Sequence, residues 1–139
     1  MRCILTALAL TVASSAQAQV FTCNPDGVQA EVNRCADDDF DKADAELNAV
    51  YRQALASLAK HGIPREPLKA AQRLWIQLRD ADLHSPFPAA KGENDVWSKY
   101  GTMYPMMYTG TKTELTRQRT AYLRRQFLEH SPIQPNDQD

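Results

Sequence analysis

The stretch that most constrains this chain is Leu68 to Leu83, LKAAQRLWIQLRDADL. Leu68, Ala71, Trp75 and Leu78 recur every three or four residues, which puts them on one face of a helix. Leu74 and Ile76 widen the apolar arc to about half the circumference, at roughly 100° per residue. A helix so apolar needs neighbours on two sides, so the pattern predicts the central helix of a small bundle. Arg79 and Asp80 border the arc. Charges so placed are expected to be paired internally, because an unpaired buried ion costs several kcal/mol. Their expected partners, with Arg119, are carboxylates such as Asp44 or Glu114.

The rest of the chain supplies those neighbours. Asn24-Pro25-Asp26-Gly27 is a turn cluster with Asp26 as the expected N-cap. A helical pattern then runs through Val28, Val32, Cys35, Phe40, Ala43, Leu47, Val50, Ala54 and Leu58, with a phase slip that predicts a bend or restart around Asp37 to Asp39. Gly62 suits a C-cap, and Pro64 and Pro67 separate this helix from the next. Residues 84 to 102 hold two prolines, two glycines and no sustained period, so they read as a long loop carrying Phe87, Lys91, Trp97, Lys99 and Tyr100. Thr102 is the expected cap of a last helix, with Pro105 in its first turn. Met103, Met107, Thr111, Leu115, Tyr122 and Phe127 are its expected inner face, and Gly110 the expected point of close approach. The class is all-α: a small antiparallel bundle of three to four helices.

Both ends read differently. Arg2, the apolar run Ile4 to Val12 and the Ala16-Gln17-Ala18 ending form a secretory signal, residues 1–18, with cleavage expected after Ala18. The run is too short for a stable membrane span, and neither Cys3 nor Cys23 sits in a lipid-attachment pattern. The domain is assigned to residues 19–130. The polar end, residues 131–139, is expected to be a disordered tail. Removal of the signal leaves Cys23 and Cys35, and an even count in an oxidising compartment favours one disulfide, worth roughly 3 kcal/mol for a loop of this size.

Charge is asymmetric. Residues 19–62 carry eight acids against Arg34, Lys42, Arg52 and Lys60, whereas residues 103–130 carry Lys112, Arg117, Arg119, Arg124 and Arg125 against Glu114 and Glu129. Two helices of opposite sign lying together account for this. So does an acidic patch, Asp37, Asp38, Asp39 and Asp41, that attracts a cationic partner.

Catalytic and metal motifs are not found. Asp37 to Asp41 begins like a calcium loop, but Lys42 and Asn48 stand where Gly and Glu are required. His61, His84 and His130 lack ligand spacing. Tyr108 and Lys112 have no Gly-rich stretch beside them, and there is no phosphate loop or nucleophile elbow. The reading is a protein without catalytic residues, metal or cofactor. Nucleic acid is not an expected partner either, since the exported chain is net acidic.

Three ordered blocks carry a resemblance. They are Ala30 to Ala36 continuing to Tyr51; Ala71 to Ile76 with Arg79 and Asp80; and Tyr104-Pro105-Met106-Met107-Tyr108 followed by Leu115 and Arg119. Together they resemble the exported lysozyme-inhibitor LprI-like family. The resemblance implies a helical envelope domain tied by disulfides, with Cys23 and Cys35 matching one family pair. Trp75, Arg79, Asp80, Tyr104, Pro105, Met106, Leu115 and Arg119 are its structural motif. Leu83 and Thr111 occupy the places of a second pair. The resemblance also implies a protein partner, a lysozyme: the acidic run would steer the encounter, and Lys91, Trp97, Lys99 and Tyr100 would enter the cleft. The alternative is a periplasmic interaction module of immunity or envelope-stress type with a different partner.

Overall fold

A computed structural model describes residues 23–88 and 96–129. Helix α1 spans Gln29–Lys60, α2 Glu66–His84, α3 Val96–Tyr100 and α4 Tyr104–Arg124. A 3-10 turn, Gly101–Met103, leads into α4, and a π turn, Arg125–Glu129, closes it. Among the described residues there is no strand, and three long helices form the bundle.

The chain runs up, down, up. Asn33 of α1 donates to the Thr102 carbonyl at 3.0 Å, and Arg124 near the end of α4 reaches Glu46 at 2.7 Å. So α1 and α4 run parallel, with α2 antiparallel to both. The core is built from Leu47, Val50, Ala54 and Leu58 of α1, Leu68 of α2 and Leu123 of α4, with Trp75 and Phe127 packed against it. The α1–α4 pair, not α2, is the centre. Helix α2 turns Leu68, Gln72, Arg79 and Leu83 inward, while Leu74 stays 65% exposed, Leu78 58% and Ile76 41%. The expected second apolar contact is not made among the described residues.

Helix α1 runs unbroken through Asp37 to Asp39. Its cap is Val28, not Asp26: the Val28 N–H donates to the Glu31 carboxylate at 3.1 Å. At the other end Gly62 has φ +69°. The Gly62 N–H donates to the Ala59 carbonyl and the Ile63 N–H to that of Leu58, a Schellman closure that requires a residue able to take a left-handed backbone. Pro105 lies in the first turn of α4 as expected, but Thr102 sits in the preceding 3-10 turn and Met103 takes the cap position.

The inner face of α4 differs most from expectation. Thr113, Thr116, Thr120 and Leu123 are buried, whereas Met103 and Tyr122 are exposed. Each of the three threonine hydroxyls donates to the carbonyl four residues earlier, at 2.8 to 3.0 Å. Their polar groups are thereby satisfied inside the helix, so these side chains can be buried without a partner from another helix. Gly110 has open space around it, with no close neighbour.

Candidate functional site

The acidic run of α1 lies toward the pole where α1 and α4 begin. Cys23 and Cys35 are joined by a disulfide there, tying the entering segment to the second turn of α1. Asp37 accepts from the Thr109 hydroxyl at 3.1 Å, Asp38 pairs with Lys42, and Asp39 pairs with Arg117 at 2.6 Å. The hydrogen bond that Lys42 donates to the Asp38 carboxylate, and the charge of that carboxylate, hold Lys42 above its usual range. Lys112 sits over the Phe40 ring, 4.1 Å from its centroid. Oppositely charged helices therefore do lie together, through exposed pairs of small individual worth. Asp41 is exposed and makes no such contact among the described residues. Beside these acids Met106, Val32 and Cys35 help line an open crevice of about 350 Å³.

The same pole carries an aromatic cluster. Phe87, just beyond α2, is edge-on to Tyr100 and to Tyr104 at 5.7 Å each and tilted against Tyr108 at 6.3 Å. Tyr104 stacks with Tyr100 at 5.9 Å and lies 5.7 Å from Tyr108. Lys99 and the Tyr100 hydroxyl both donate to the Pro88 carbonyl, at 3.0 and 3.2 Å. Burial in this cluster raises the Tyr104 phenol above its usual range, with Tyr108 and Tyr100 adding to the shift. Phe87 thus pins the connection between α2 and α4 onto α4. Lys91 falls outside the described residues, as do the expected signal, residues 1–18, and tail, residues 131–139. Trp97 lies within α3, and its side chain is also outside them.

A second cluster joins the motif residues of α2 and α4. The Arg79 guanidinium lies 5.2 Å from the Trp75 ring and pairs with its chain neighbour Asp80 at 2.8 Å. Arg119 lies 5.7 Å from Trp75 and 5.1 Å from Tyr122, so Trp75 is bracketed by two cations. Arg119 donates to Gln72 at 3.0 Å, and its Nη2 is buried without an acceptor among the described residues. The expected carboxylate partners are engaged elsewhere: Asp44 accepts from Asn48 and Glu114 from Gln118. Burial lowers the affinity of Arg119 for its proton, against Tyr122 and Tyr51.

The structure therefore brings Trp75, Arg79, Asp80 and Arg119 together, and places Asp37, Asp38, Asp39, Asp41, Lys99 and Tyr100 toward one pole. Tyr104 belongs to the aromatic cluster, Pro105 to the helix start, and Leu115 is half-buried on α4. Gln72 and the tyrosine cluster were not anticipated. Their signals are present in the sequence: Leu68, Gln72, Trp75, Arg79 and Leu83 keep helical spacing once polar residues are allowed inward, and Tyr104 and Tyr108 are four apart.

Fold and site together define a small disulfide-tied helical protein with charged and aromatic surfaces at one pole. Among its described residues no group of three or more His, Cys, Asp or Glu could hold a metal, and no helix is long and apolar enough to cross a membrane. The profile of the lysozyme inhibitor LprI family matches residues 22–123, and the chain belongs to that family. It is 36% identical over 128 residues to an uncharacterized protein of Rhizobium meliloti (strain 1021), covering 84% of this chain and 86% of that protein. No solved structure matches.

Proposed function

We propose that the protein is an exported inhibitor that docks on a cationic muramidase and blocks its cleft without turning anything over. Membership of the lysozyme inhibitor LprI family carries this reading. The expected signal at residues 1–18 would deliver the chain to the periplasm or the outside, where a disulfide between Cys23 and Cys35 is stable. The acidic run toward one pole supports a steering role. Of its residues Asp41 is exposed and has no ion-pair partner among the described residues, while Asp37, Asp38 and Asp39 remain partly solvated. Lys99 and Tyr100, braced by Phe87 and Pro88, are the described groups best placed to enter a carboxylate-lined cleft.

A different protein partner is the second reading. It is favoured by the internal pairing of Asp38 with Lys42 and Asp39 with Arg117, which weakens the field a cationic protein would meet. Capture from envelope extract with and without added lysozyme separates the two. Displacement of every captured protein by lysozyme supports inhibition, and capture indifferent to lysozyme supports the other partner.

A further inference from the structure

At the opposite pole, where α1 ends, a groove of about 380 Å³ opens between the α1–α2 corner and the end of α4. Its walls include Leu58, Ile63, Pro67 and Leu68 on one side and Phe127 on the other. The prolines at 64 and 67 have no N–H, so this wall presents few donors to a peptide backbone, whose amides would be stranded on entering. The corner is held by the Schellman closure at Gly62, so the trench is formed before anything binds.

One charged residue lines it. Arg119 is flanked by Trp75 and Tyr122, uses Nε on Gln72, and has no carboxylate partner among the described residues. A neutral apolar occupant would strip water from that guanidinium and return nothing. A carboxylate would instead give the part of the guanidinium that lines the groove a charge-assisted hydrogen bond.

We propose that this groove binds a single-chain aliphatic carboxylate, the chain lying along the Leu58–Phe127 trench and the head group on Arg119. The site is separate from the acidic pole and independent of muramidase binding.

The chain has two tryptophans, so Trp97→Phe leaves Trp75 beside Arg119 as the reporter. Dodecanoate, dodecanol and dodecyltrimethylammonium are titrated into this protein below their micelle concentrations. Expected is saturable one-to-one binding of dodecanoate, at least tenfold weaker binding of the alcohol, and weaker still of the cation. Arg119→Gln should reduce dodecanoate to the affinity of the alcohol. Ala71→Glu, at an exposed groove position, should weaken dodecanoate about tenfold without touching the core, and serves if Arg119→Gln does not fold. Equal affinity for dodecanoate and dodecanol, or no saturable binding of dodecanoate, would overturn the proposal.

Discussion

Arg119 of α4 donates through Nε to Oε1 of Gln72 on α2, 3.0 Å away and 47 residues earlier in the chain. This contact, with Trp75 lying between Arg119 and Arg79, stitches the outer helix to the α1–α4 pair. Gln72→Leu keeps the size but leaves Nε without an acceptor, and should cost about 1–3 kcal/mol. Gln72→Glu keeps the acceptor and should cost less. Urea melts with unchanged slope are the check. Equal loss in both variants would show that shape, not the hydrogen bond, is what matters.

The disulfide holds the entering segment against α1 and lies far from the leucine core. Replacing Cys23 and Cys35 together by alanine should therefore lower stability by up to about 3 kcal/mol while leaving the helical circular dichroism intact. Collapse of the helical signal at room temperature would mean that the bundle depends on that segment far more than its packing indicates.

Thr116 is fully buried, yet its hydroxyl is used only within its own helix, on the Lys112 carbonyl. Thr116→Val removes the hydroxyl without orphaning that carbonyl, so the expected change is within about 1 kcal/mol. Thr116→Ala loses the methyl as well and leaves a small void, and should be the worse of the two. A valine variant less stable than the alanine one would show that the hydroxyl, not the methyl, matters at this position of α4.

Tyr104 provides a pH test. Its phenol is raised above the usual tyrosine range by burial first, then by Tyr108 and Tyr100. A raised folded-state value means that the fold favours the protonated form. The associated stability is fully present below about pH 10, where an unfolded tyrosine titrates, and is lost as pH climbs through the higher folded value. Tyrosinate absorbance should show one late-titrating group that disappears in Tyr104→Phe, and that variant should lose less stability in alkali than the parent.

The fold was largely legible and the packing less so. Proline, glycine and apolar spacing placed the three long helices, because they act locally on the backbone. Which face is buried depends on what arrives opposite it. Leu74 and Leu78 are apolar but stay more than half exposed, at 65% and 58%, and Thr113, Thr116 and Thr120 are polar but silence their own hydroxyls. Asp44 and Glu114 failed as partners for the same reason. Arg79 instead pairs with its chain neighbour Asp80 beside Trp75, and Arg119 takes Gln72, which does not register as a counter-charge. The charge asymmetry was legible because the acids of α1 and the arginines of α4 are each crowded into one helix, and the pairs Asp39–Arg117 and Glu46–Arg124 follow from the parallel run.

The most direct test of the proposed function is titration of a cationic muramidase with the purified protein at low and moderate salt. Activity should fall to near zero at a fixed stoichiometry. The rate of onset should drop as salt rises, and Asp38→Lys with Asp41→Lys should slow it by about tenfold or more at low salt. Undiminished muramidase activity at large molar excess, across lysozymes of the c, g and invertebrate types, would contradict it.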